Sequence, residues 1–213
     1  MLRPLLRLFF KHFYHTFAWT YDFVAAIVSI GRWNDWTDSV IPLIQGNRVL
    51  EIGFGPGHLQ ELLLSKNQFV FGLDESMQMA RITRQRLIKT GHLNFNLLRA
   101  LAESMPLPPE TFDTVFSTFP TEIIFDPRTL SGVYRILTKN GRLIIVPAAT
   151  IIGRRFLDRL AAWLFKITDQ APTDPYTVIS ERIKKQIEAA GFHPIFYTEE
   201  IKSSSILIMI ATK

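Results

Sequence analysis

The sequence predicts an α/β fold: a seven-stranded, mostly parallel sheet with helices on both faces and further helices at the amino end. Three observations carry that expectation. Short apolar runs alternate with segments of helical periodicity, the pattern of strand–helix–strand units. The first such run, Val49-Leu50-Glu51-Ile52, breaks into glycine at every second position: Gly53, Gly55 and Gly57. Two strand-like runs then close the chain with no helix between them, as consecutive antiparallel neighbours do.

Taken in order, residues 2–17 read as an amphipathic helix. Arg3, Arg7, Lys11 and His15 recur every four residues, and Leu2, Leu5, Leu6, Phe9, Phe10, Phe13 and Phe17 fill the other side. A basic stripe opposite an aromatic face suits an interfacial membrane helix, and equally a helix packed on the domain with its cations in water. Residues 18–30 and 34–44 read as two more short helices parted by Gly31. Strands are expected at 48–53, 69–73, 94–98, 113–117, 142–147, 193–199 and 205–212, with helices at 57–66, 76–90, 127–138 and 176–190.

Residues 151–175 carry a second basic amphipathic pattern. Phe156, Leu160, Trp163, Leu164 and Ile167 make its apolar stripe, and Arg154, Arg155, Arg159 and Lys166 occupy the rest. An insertion after a strand's carboxyl end falls on the rim where open α/β sheets bind ligands. It reads either as a lid over an acceptor pocket or as a helix packed on the core. The expected division is therefore 1–45, amphipathic and substrate-side helices, and 46–213, a ligand-binding domain with a helical insertion at 151–170.

The chain has no cysteine. That excludes disulfides, thiolate metal sites and a cysteine nucleophile; no metal is expected. The net charge of +5 favours a polyanionic partner. Its concentration on the amphipathic segments points to an anionic membrane surface rather than nucleic acid. No stretch of 18 uncharged apolar residues exists, so no spanning helix is expected. The expected location is cytoplasmic and peripheral on the membrane.

Glycines after a buried strand permit positive φ and let a ligand approach the backbone, while the following helix aims its free N–H groups at the same place. The dinucleotide pattern G-x-G-x-x-G needs glycine at position 58, which is His58. Asp74 ends the second apolar run, 21 residues after Gly53. A carboxylate there can accept both ribose hydroxyls of a nucleoside, or it can cap the helix that starts at Ser76.

An acid followed by G-x-G-x-G, with an acid ending the next strand, resembles the class I S-adenosylmethionine (SAM) dependent methyltransferases. Residues 102–108 (Ala-Glu-Ser-Met-Pro-Leu-Pro) and 112–115 (Phe-Asp-Thr-Val) are similar to that family's D-A-E-x-L-P-F and F-D-x-V segments. Leu101 stands where the family has an Asp that bonds the adenine amino group. Ser117-Thr118-Phe119-Pro120 replaces the Asn/Asp-Pro-Pro-aromatic tetrapeptide of amino-methyltransferases, so nucleobase N-methylation loses support. Phe17, Tyr21-Asp22, Ser29-x-Gly31 and Trp36 match in order and spacing the leading segment of the ubiquinone and menaquinone C-methyltransferases. The Asn that those enzymes carry four places after the tyrosine is Ala25 here.

The resemblance implies the sheet order 3-2-1-4-5-7-6 and SAM as cofactor. Its cofactor-binding positions are Glu51, Gly53, Phe54, Gly55, Pro56 and Gly57 at the methionine end, and Asp74 and Glu75 near ribose. Met77, Leu101 and Ala102 fall around adenine, and Ser117 closes the set. Phe17, Tyr21, Phe119 and Trp163 would shape the substrate side. The implied reaction moves a methyl group to a hydrophobic, membrane-associated acceptor, a quinone precursor. A phospholipid amine N-methyltransferase and a non-catalytic SAM-binding membrane-surface protein stand as alternatives. A carbon or oxygen acceptor needs a base; Tyr21, Asp22 and Glu122 are candidates by position alone, so the catalytic residues stay unassigned.

Overall fold

The computed structural model describes residues 31–66, 68–152 and 175–213. The readings for residues 2–17, 18–30 and the insertion helix lie outside the described residues, as do Phe17, Tyr21, Asp22 and Trp163.

The first described helix, α1 (Trp33–Asp38), is shorter than the expected 34–44. Continuing it would drive the Pro42 ring into the Asp38 carbonyl. The Thr37 and Ser39 hydroxyls also bond back to the Asn34 and Trp36 carbonyls, at 3.1 and 2.7 Å. The chain turns instead through a 3-10 helix at Ile41–Leu43. There follow β1 (Arg48–Ile52), α2 (His58–Ser65), β2 (Phe69–Asp74), α3 (Met77–Lys89), β3 (Asn96–Arg99) and β4 (Phe112–Thr118). The remainder is α4 (Pro127–Ile136), β5 (Leu137–Ile151), α5 (Pro175–Ala189), β6 (His193–Ile201) and β7 (Ser204–Thr212).

The strands form one sheet in the order β3-β2-β1-β4-β5-β7-β6, as expected. Pairing is parallel from β3 to β5, and β7 runs antiparallel to both β5 and β6. Chain direction across the sheet reverses beside β1, where β4 takes the side opposite β2 and β3. In such sheets the crevice outside the strand carboxyl ends at that point binds ligands.

Several boundaries differ from the sequence reading, β5 starting at Leu137 and not 142 among them, and three have identifiable reasons. β3 starts at Asn96, not 94, because its register is set by β2: Phe71 faces Asn96 and Asp74 faces Arg99. Helix α4 stops at Ile136 because Leu137 is already extended, with ψ 139°. Strand β5 runs to Ile151 rather than 147, since β7 pairs with it as far as Ile151–Ser204. The insertion therefore begins after Ile151. Pro147 has no N–H to give the ladder and sits in the register shift between Ile145 and Ala148.

Alternation along the strands builds a core on each face. Leu50, Ile52, Val115 and Met209 pack with Leu130, Val133, Ile136 and Ile187 from α4 and α5. Val49, Val70, Phe116, Ile144 and Ile208 pack with Trp36, Val40, Leu59 and Leu63. Helix α1 is thus fixed to the sheet by Trp36, only 2% exposed. A second tie is ionic: Lys202 Nζ, in the β6–β7 turn, lies 2.6 Å from Asp35 Oδ2.

Candidate active site

The loop between β1 and α2 has the backbone its glycines predict. Gly53, Gly55 and Gly57 have φ of +78°, +51° and +82°, a region in which a side chain is strained. A Cβ at Gly55 would meet nothing within 4 Å, and one at Gly53 only Ser117 Oγ at 4.0 Å. The faces of these two residues are therefore open to a ligand. Gly57 differs, because a Cβ there would collide with the Thr83 side chain.

Asp74 ends β2 beside this loop. Its Oδ2 accepts from the Gly55 N–H at 2.9 Å and its Oδ1 from the Ser76 N–H at 2.8 Å. The cap of α3 is Ser76, whose hydroxyl accepts from Met79 N, so Asp74 is not the capping residue. Each Asp74 oxygen keeps a second lone pair for further donors.

Glu51 is 3% exposed, with Oε2 accepting from Gln60 Nε2 at 2.6 Å. Burial pushes its carboxyl up to about 8; the Gln60 hydrogen bond opposes that rise and the nearby Asp74 charge adds to it. The group is thus largely protonated at neutral pH. A cation placed against it would draw it back to the carboxylate. Gln60 is itself fully buried, and its Oε1 has no partner among the described residues.

Two cavities flank Gly53 and Thr118. One, of about 310 Å³, is lined by Gly53, Asp74, Glu75, Ala102, Ser117 and Phe119 among others. The second, of about 260 Å³, lies between the glycine loop and α1, against Glu51, Gly55, Pro56, His58, Trp33 and Asn34. Ser117 is buried, and its hydroxyl donates to the Ile52 carbonyl at 2.6 Å, tying β4 to β1. Phe119, at φ +48°, places its ring 4.6 Å from Trp33 and 6.0 Å from the buried Trp36, an aromatic wall that meets the first cavity at Phe119 and the second at Trp33.

The structure thus brings together Glu51, Gly53, Phe54, Gly55, Pro56, Asp74, Glu75, Ala102, Ser117 and Phe119. Phe54 lines the site while its ring packs under Gly72, where a Cβ would come within 2.7 Å of Phe54 Cδ1. Met77 and Leu101 are 46% and 51% exposed and line neither cavity. Glu122 lies exposed in a 3-10 helix (Glu122–Phe125) and also lines neither, whereas its neighbours Thr121, Ile123 and Ile124 do.

Sequence reasoning missed four residues here. His58 Nε2 lies 2.9 Å from Asp38 Oδ1, linking the glycine loop to the end of α1. Gln60 covers Glu51, and Thr83 supports the loop from α3. One signal was available: Thr83 stands four residues before Leu87, a hydroxyl on the buried stripe of α3.

The set fits SAM. The glycine faces leave room for a ligand against the backbone, Glu51 can meet an ammonium group, and Asp74 can take hydroxyls. Comparison with known proteins agrees. Residues 50–145 match the family described as methyltransferase domain. A demethylmenaquinone methyltransferase of Symbiobacterium thermophilum is 25% identical, over 95% of this chain and 92% of its own length. A ubiquinone/menaquinone biosynthesis C-methyltransferase of Rhizobium leguminosarum is 27% identical, over 87% of this chain and 81% of its own. Among solved structures, a SAM-dependent methyltransferase of Thermotoga maritima, titled a possible histamine N-methyltransferase, superimposes with a TM-score of 0.62. It is 21% identical, covering 95% of this chain and 99% of that one, and supports the fold. Motif, sheet order and relatives together make the chain a SAM-dependent methyltransferase that resembles the class I enzymes.

Proposed function

We propose that the chain methylates a hydrophobic, membrane-associated small molecule, a quinone precursor. The observation that carries this reading is the length of the match to the demethylmenaquinone methyltransferase, which spans nearly all of both chains. The aromatic wall of Trp33 and Phe119 supports it, because a flat apolar acceptor can pack there beside the cofactor. Attachment to an anionic leaflet through the basic amphipathic segment at 2–17 belongs to the same proposal. Among the described residues no helix is long and apolar enough to cross a membrane.

Bound SAM supplies a methyl group already activated on a sulfonium. The residues of this chain have three tasks around it. Gly53 and Gly55 admit the ligand against the backbone, and Glu51 and Asp74 fix its charged and hydroxylated parts. The aromatic wall excludes water and aligns the acceptor.

The test uses purified protein, SAM labelled in the methyl group, and two separated lipid extracts, quinone precursors and phospholipids. Label is expected in the quinone fraction. Label confined to phospholipid amines, or SAM binding without turnover on either extract, overturns the acceptor assignment.

A further inference from the structure

We infer that Thr83, on α3 and outside every recognised motif, is a positioning residue that shapes the cofactor loop. The inference rests on reading that loop as the SAM site. Thr83 is fully buried in the middle of α3, seven residues past the Ser76 cap. Its Oγ1 donates to the Gly55 carbonyl at 2.7 Å. The amide on the other side of the same glycine donates to Asp74 Oδ2. Both peptide groups around Gly55 are therefore held, one by β2 and one by α3.

The methyl half of the side chain acts on the next glycine. Cγ2 of Thr83 occupies the place where a side chain at Gly57 would go. One threonine thus grips the loop at two points, by hydrogen bond at Gly55 and by contact at Gly57. Neither grip obstructs the open faces, since no atom of Thr83 lies within 4 Å of where a side chain at Gly53 or Gly55 would stand. The arrangement separates the duties of the three glycines. Gly53 and Gly55 are bare to admit a ligand, and Gly57 is bare to admit Thr83.

A loop whose three glycines all carry positive φ needs such support, since glycine is the residue with the most conformational freedom to lose. With the Gly55 carbonyl released, the loop samples other peptide orientations, and a ligand must reorder it on binding. The loss should appear in cofactor affinity and not in turnover once the cofactor is saturating.

Two substitutions separate the hydroxyl from the shape. Thr83→Val keeps the volume and removes the donor, and Thr83→Ser keeps the donor and removes the methyl. Calorimetry with SAM is expected to show Kd raised about tenfold in Thr83→Val, the scale of one hydrogen bond. Thr83→Ser should stay within about threefold of wild type, and kcat at saturating SAM should hold in both. Thermal melts run alongside the titrations. A Thr83→Val protein that melts lower yet binds SAM as wild type assigns the residue to stability alone and overturns the inference. Equal loss of affinity in both variants overturns the role of the hydroxyl. Failure of the wild-type protein to bind SAM would instead remove the reading of the loop itself.

Discussion

The two halves of the sheet use the same apolar residues for different ends. In the parallel half, β1, β2 and β4 are short, at five to seven residues, and each ends in a turn that carries the site: the glycine loop, Asp74, and Ser117 to Phe119. In the antiparallel half, β5, β6 and β7 run to nine residues or more, and β7 pairs along its length with both of the others. That half buries Ile206, Leu207, Ile208 and Met209 in succession and contributes nothing to the lining of either cavity. Binding groups gather where strands stop, and cohesion gathers where they continue. The halves should therefore respond to mutation in different measurements.

The largest expected effect lies at the glycine loop. Gly55→Arg forces a side chain onto φ +51° and into the ligand's space. SAM affinity should fall more than a thousandfold, upward of about 4 kcal/mol, while far-UV circular dichroism stays that of a folded protein. Asp74→Ala removes the carboxylate at the end of β2 and should cost at least about a hundredfold. Unchanged affinity in either variant would break the assignment of the site to the parallel half.

Next comes the opposite half. Ile208→Ala empties a fully buried position and should cost about 4 kcal/mol of stability in denaturant titration, with SAM Kd unchanged. A matching loss of affinity would show that the halves are not separable.

Glu51 sharpens the contrast, because it joins site and core. Its carboxyl sits near 8 in the folded protein against an ordinary value of 4.5, so the folded state holds a proton that the unfolded chain gives up. The unfolding free energy is unaffected below about pH 4.5 and falls as pH rises from there toward 8. Glu51→Gln should flatten that decline and raise stability by on the order of 3 kcal/mol at pH 7. It should weaken SAM binding at the same time. Wild-type binding at pH 7 should release a proton, seen as a dependence of binding enthalpy on the ionisation heat of the buffer. No such dependence would mean that Glu51 keeps its proton with the ligand bound.

The strands and helices were legible because their periodicity is local, their order in the sheet came from the family resemblance, and the glycine loop was legible because positive φ and an open face demand one residue type. The position of Asp74 followed from the end of an apolar run. What could not be read were pairings made by folding. Gln60 meets Glu51 across nine positions, His58 meets Asp38 across 20, and Thr83 meets Gly55 across 28. Nothing in the spacing of those residues announces such contacts. The lengths of α1 and β5 escaped for a related reason. Pro42 and the partner strand β7 set them, and both act from outside the element.

The position of β7 has a consequence for synthesis. The strand of this sheet that is made after the other six fills an interior slot, between β5 and β6, and the turn before it brings Lys202 to Asp35 of α1. Until those residues emerge, the flank of β5 is an unpaired edge and β6 has no strand to join, so that side of the sheet is open to any neighbouring chain. A nascent chain arrested before Ser204 would hold the cofactor loop and still lack the strand that keeps the sheet from pairing with its neighbours.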